Sequence, residues 1–272
     1  MNAQASILLA DTVTKLGPEH AGCVLVGGSH GGRYAGYLAA KAGVRAVILS
    51  DAGVGKEQAG IGSLADMDKL GRPAATVAHD SARIGDANDM MTRGRISHVN
   101  DAAAKLGCKV GMATADCAET MRAAPAPAAK PEPVSEGRIL LRDGPVKVWG
   151  LDSASLIAPS DEGQVLICGS HGALLPGGAG KALGADALAA VFHNAGVGID
   201  GCGITRLPAL DGRGIVGATV DADSARIGDA RSLWETGVLS HVNERAKAIG
   251  AAPGMTVQAF VDLVLQNQER AR

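Results

Sequence analysis

Ser29, His30, Asp51, His79 and Asp80 are the residues of the first half whose types could do chemistry, and each stands where an apolar run gives way to polar residues or glycine. A serine with a neighbouring base can attack a carbonyl, and a carboxylate beside a histidine can run general acid–base steps. The second half places Ser170, His171, His193, Asn194 and Asp223 at matching positions. In open α/β sheets ligands bind beyond the carboxyl ends of the strands, so this pattern locates a site before any ligand is named.

The segment GGSHG at 27–31 fits G-x-S-x-G, and it follows an apolar run and precedes a helical one. That order is the nucleophile elbow, in which glycines permit a sharp turn that exposes the serine. The second copy, CGSHG, has Cys168 in place of the first glycine. Two other readings compete. The turn can hold a carboxylate or phosphate on its N–H groups, including that of Gly31, or it can be purely structural.

DSARIGDA occurs twice, at 80–87 and 223–230. One account is a self-satisfied loop, with Asp80 or Ser81 capping the next helix and Arg83 paired to Asp86. The other offers Arg83 and Arg226 as forks for a substrate carboxylate, with Asp80 and Asp223 as acid–base groups. The reading adopted assigns function to Asp80 and Asp223 and structure to Asp86 and Asp229.

His30, Asp51, Asp80 and His98 are the right types to hold a metal, but no HExxH or close HxH spacing accompanies them. No metal residues and no cofactor are therefore assigned, and a divalent metal stays open. The glycines of GVGKEQAGIG at 53–62 fit neither nucleotide phosphate-loop pattern.

These residues need a scaffold that presents them, and the repeat supplies its outline. From Gly71/Gly214 to Met112/Met255 the halves share 21 identities in 42 ungapped positions. SDAGVG at 50–55 faces HNAGVG at 193–198, LVGGSHGG at 25–32 faces LICGSHGA at 166–173, and Asp11 faces Asp152. Agreement over this range points to an internal duplication. SILLADTV, CVLVGG, VRAVILSDAG and PAATVAHDS read as strands, YAGYLAAKAG as a helix, and 63–70 as a short helix. In RISHVNDAAAKLG the apolar residues Ile96, Val99, Ala103 and Leu106 predict one amphipathic helix, with His98 and, in the second copy, His241 at its middle. GMTVQAFVDLVLQNQ predicts a closing helix capped by Thr256.

Strands alternating with helices imply an α/β fold: two tandem βαβ-type repeats with largely parallel sheets, related by a pseudo-twofold axis. The expected domains are a first repeat over 1–123, a Pro/Ala-rich linker over 124–145 and a second repeat over 146–272.

Composition agrees with this outline. The 272 residues include 38 glycines, which suits many tight strand–helix turns, and only two each of Phe, Tyr and Trp. The net charge of −2 with scattered Lys and Arg argues against a nucleic-acid partner. No apolar run is long enough to span a bilayer, and the N-terminal stretch lacks the form of a secretory signal. Five cysteines without CxxC suit a reduced, cytoplasmic protein.

The expected function is that of an enzyme on a small, anionic substrate, held at the strand ends between the repeats, with a homo-oligomer left open. A hydrolase of a small polar amide or carboxylate-bearing compound would use Ser29 or water as nucleophile and His30 or His79 as base. A cofactor-independent isomerase or lyase would oppose Asp51 to His193. A non-catalytic anion binder would use the two Ser–His–Gly turns.

Overall fold

The computed structural model describes residues 5–178 and 182–270; the outermost residues of both expected domains lie outside that range. The chain divides into two compact units. The first comprises Met1–Val54, Gln58–Ser135 and Gly198–Asp200, and the second comprises Gly55–Glu57, Glu136–Val197 and Gly201–Arg272. Both are α/β, with mixed, mostly parallel sheets.

In the first unit the strands are β1 (Ile7–Ala10), β2 (Val24–His30), β3 (Ala46–Ser50), β4 (Ala74–Val77) and β5 (Ile96–Val99). They lie in sequence order, parallel except for the antiparallel β4–β5 pair. Strands buried on both faces read as continuous apolar runs, and β2 shows why. Val24 and Val26 join the core under α3 (Ala87–Arg93) and α5 (Thr114–Met121), while Leu25 joins the opposite core under α1 (Arg33–Lys41) and α2 (Ser63–Lys69). With few aromatics available, Met67, Met90 and Met121 fill the space beside the sheet, each fully buried.

The second unit orders its sheet β11-β10-β9-β8-β7-β6, from β6 (Arg138–Arg142), β7 (Val148–Leu151), β8 (Val165–His171), β9 (Ala189–His193), β10 (Val216–Val220) and β11 (Leu239–Val242). The pairs β6–β7 and β10–β11 are antiparallel. Helices α6 (Arg206–Gly212), α7 (Ala230–Thr236), α8 (Glu244–Ala248) and α9 (Val257–Arg270) cover the faces, and Phe192 and Phe260 occupy opposite cores. Thr256 accepts the Ala259 N–H at the start of α9, as its position in the sequence predicts.

Several sequence expectations are corrected. The run 96–106 is not one helix. Ile96–Val99 forms β5, with Thr76 opposite His98, and only Asp101–Lys105 continues as α4. Asn100 is the reason for the break: its side-chain oxygen accepts from Ala74 N on β4 and from Ala103 N inside α4. One residue thereby closes the strand and caps the helix, and the 3–4 spacing of apolar residues spans the junction by coincidence. Asn243 does the same for β11 and α8. In addition, the stretch expected as linker contains β6, an edge strand whose Arg138 reaches the buried carboxylate of Asp161.

The GGSH and CGSH segments are not turns after strands but the bulged ends of β2 and β8. Val26 faces Ile48 and the next pairing is His30 with Ser50, so β2 carries two extra residues; Ile167 and His171 repeat this against β9. The bulge meets the DSARIGDA loop. Gly85 N donates to Gly28 O at 2.8 Å and Gly228 N donates to Gly169 O at 2.8 Å. A Cβ on Gly28 would stand 2.6 Å from Asp11 O and 2.9 Å from Gly85 C, so no larger residue fits.

The polar letters of the loop complete this latch. Asp86 caps α3 by accepting Asp89 N at 2.9 Å, and Ala87 N donates to the Asp11 carboxylate at 3.0 Å. The Ser81 hydroxyl donates to Ala78 O and accepts Arg95 N. Asp229, Ala230, Asp152 and Ser224 repeat every one of these bonds. The helix cap is therefore Asp86, not Asp80 or Ser81, and Arg83 pairs not with Asp86 but with Asp89 and with Asp200, also of the first unit.

Gly28→Ala should force the loop off the strand and cost about 2–3 kcal/mol, with Gly169→Ala costing a similar amount in the second unit. Urea unfolding midpoints of the two variants check this.

Candidate functional site

At the carboxyl end of β3 the chain enters the segment Asp51-Ala52-Gly53-Val54, in which Ala52, Gly53 and Val54 have φ of 49°, 77° and 62°. Left-handed backbone is costly for alanine and more so for β-branched valine. The turn persists because it closes on itself. Gly53 N donates to the Asp51 carboxylate, Val54 N donates to Asp51 O at 2.8 Å, and Gly60 N donates to Val54 O at 2.9 Å. Gly60 lies so close to Asp51 O that a Cβ there would collide with it.

This turn aims the Asp51 carboxylate at the end of β4. Oδ1 accepts His79 N at 2.9 Å and meets His79 Nδ1 at 3.0 Å. Asp51 is buried, whereas the His79 side chain is 31 % exposed. Ser97 on β5 lies close enough to lower the same carboxylate, and its hydroxyl donates to Thr76 O at 3.2 Å. His98 Nδ1 lies 3.1 Å from Ser97 Oγ. A connected polar group results: His79, Asp51, Ser97, Thr76 and His98, with exposed Asp80 near enough to act on the imidazole.

The charges reinforce one another. Burial pushes the Asp51 carboxyl up, but the bonds from His79 and Gly53, together with Ser97, outweigh it and hold the group below its ordinary 3.8. For His79 the Asp51 bond is the largest influence; it lifts the imidazole above its ordinary 6.5 despite burial, and the Asp51 and Asp80 charges add to the rise. Because Asp51 engages Nδ1, proton exchange with a substrate falls to Nε2.

The second unit has the same geometry without the titrating pair. Asn194 Oδ1 accepts Gly196 N, and Asn194 Nδ2 donates to Ser240 Oγ at 3.1 Å, matching Gly53 and Ser97. His79 is replaced by Ala222. Ser50, whose hydroxyl accepts Ala52 N, is replaced by His193, whose Nδ1 accepts Ala195 N. His193 Nε2 faces Ala225 O at 3.1 Å, and burial lowers the imidazole to about 4. It is a neutral, enclosed ring with both nitrogens engaged by backbone.

The remaining sequence candidates have structural partners. Ser29 Oγ accepts Val13 N at 3.1 Å, and Ser170 Oγ accepts Ala154 N at 2.9 Å. Nδ1 of His30 accepts Gly32 N, and Nδ1 of His171 accepts Ala173 N. The Gly31 N–H donates to Ser50 O. Arg226 is paired with Asp229 and with Glu57, a residue of the second unit. Asp223 is exposed, its N–H bonded to Asp221. Among the described residues no cluster of three or more His, Cys, Asp or Glu is arranged to hold a metal ion, and no helix is long and apolar enough to cross a membrane.

Ser97 was the partner that sequence reasoning passed over. Its signal was present, since SHVN recurs as a block, but the histidine drew attention from the serine beside it. Compared with protein-family models, curated proteins and solved structures, the chain matches none.

The Asp51–His79 pair fixes the pH dependence. The contribution of His79 is complete below about 6.5 and fades as pH rises through its raised folded value; that of Asp51 is present above about 3.8 and fades as pH falls through its lowered one. The stability gap between the native chain and His79→Gln should therefore be widest between these limits and narrow on both sides. Asp51→Asn should return the His79 titration, followed by imidazole NMR, toward 6.5. An unchanged His79 titration in that variant would contradict the assignment.

Proposed function

We propose that the first unit is a hydrolase of small amides or carboxylate-bearing compounds, with His79 as general base and Asp51 as its orienting carboxylate. The observation that supports this reading is the bond from Asp51 Oδ1 to His79 Nδ1, at 3.0 Å beside a partly exposed imidazole. A buried carboxylate that fixes the histidine tautomer and stabilises the imidazolium is the arrangement hydrolases use to move protons.

Water is the nucleophile in this scheme. Its oxygen attacks the substrate carbonyl carbon while its proton passes to Nε2 of His79, and the imidazolium is held by Asp51. The tetrahedral intermediate then expels the amine, which takes the proton from Nε2, and the acid product leaves. Ser29 has no part in these steps, because its hydroxyl is engaged with Val13 N. Asp80, exposed beside His79, adds to the field that favours the imidazolium.

A panel of small amides and esters, with and without a carboxylate, tests the proposal on the full chain. Hydrolysis by the native protein should fall about 10²–10⁴-fold in His79→Ala, while Ser29→Ala should stay within about tenfold. Equal rates for the native chain and His79→Ala, or no turnover across the panel, would overturn it.

A further inference from the structure

Two cysteines of the first unit lie outside the site and answer to each other. Cys108 follows α4 in a short loop between Gly107 and Gly111, whose φ values are 102° and 85°. Cys117 is on α5, and both belong to the core cluster on that face of the sheet. The Cys108 thiol donates to Cys117 O at 3.9 Å, which sets the two residues side by side in that core. The Cys117 side chain lowers the Cys108 thiol despite burial, and Cys108, helped by burial, raises Cys117.

Packing alone does not call for this pair. The matching positions of the second unit hold Ala251 and Phe260, both buried in an equivalent core. Burial pushes Cys23 and Cys168 up to about 11, whereas Cys108 is lowered. Cys108 is buried, yet its neighbours Lys105, Gly107, Lys109 and Val110 are all exposed, with Val110 at 64 %. Exposed residues on both sides of a buried thiol are the setting in which a segment opens locally without global unfolding.

We propose that Cys108 and Cys117 are a modification site that closes to an intramolecular disulfide when a hydroperoxide reaches the loop. The Cys108 sulfur attacks a peroxide oxygen, the O–O bond breaks, and water or an alcohol leaves with the thiol proton. Cys108 is then a sulfenic acid. The Cys117 sulfur attacks it, the S–O bond breaks, and water departs with the Cys117 proton. Two thiols lose two electrons and the peroxide gains them; a thiol reductant reverses the change.

Hydrogen peroxide treatment of the full chain, alkylation without reduction and tryptic mapping test this. The expected product links peptide 106–109 to peptide 110–122, forms before Cys23, Cys168 or Cys202 is modified, and vanishes on reduction. Cys108→Ala, which installs the residue found at the matching position of the second unit, should abolish the link. Cys117→Ala should leave a sulfenic acid on Cys108 that dimedone captures. Separate alkylation of both thiols after oxidation, or sulfinic acid on Cys108 without any link, would overturn the proposal.

Discussion

Two backbones meet at Gly28 with no room for a side chain between them, and the rest of each unit is arranged around that contact. A bulge at the end of β2 offers its carbonyl, and the loop before α3 delivers the Gly85 N–H to it. Buried backbone groups must find partners, and here the partners come from a fixed set of letters. Asp11 takes the Ala87 N–H, Asp86 takes that of Asp89, and Ser81 joins Ala78, just after β4, to Arg95, just before β5. DSARIGDA recurs because the second unit makes the same contact at Gly169.

Once the latch explains what the halves share, their differences acquire meaning. Asn194 makes the bonds of Asp51 that hold the turn, and His193 replaces the Ser50 acceptor with a ring nitrogen. Both substitutions keep the geometry. What the second unit lacks is a carboxylate paired with a histidine, since Ala222 stands where His79 would be. The proposed chemistry therefore rests on one unit, on the charge of Asp51 and the imidazole of His79, neither of which the turn needs when an amide such as that of Asn194 takes the same N–H.

Much of this architecture was legible from letters alone. The apolar runs of β1 to β4 and the closing helix α9 follow from length and periodicity, and the repeat made each reading count twice. The site was legible in part. Asp51, His79 and Asp80 stand at strand ends, where composition changes; Asp51 and His79 bond to each other, and the Asp80 charge acts on His79. Ser29 was less readable because G-x-S-x-G records only that glycines are needed, and glycines serve a bulge pressed against a loop as well as an elbow. The strand β5 was hidden because a four-residue strand and a five-residue helix, joined through Asn100, mimic a single helical period. Long-range bonds such as Asn100 to Ala74 leave no local trace.

The most direct test of the division between latch and dyad is to give the first unit the second unit's residues. In Asp51→Asn/His79→Ala, the introduced amide can still accept from Gly53 and donate to Ser97, so unfolding free energy at neutral pH should change by no more than about 1 kcal/mol. Ser81→Ala/Asp86→Ala, which removes two polar groups from the latch, should cost about 2 kcal/mol. If the dyad variant loses as much stability as the latch variant, Asp51 and His79 are part of the scaffold and the account fails.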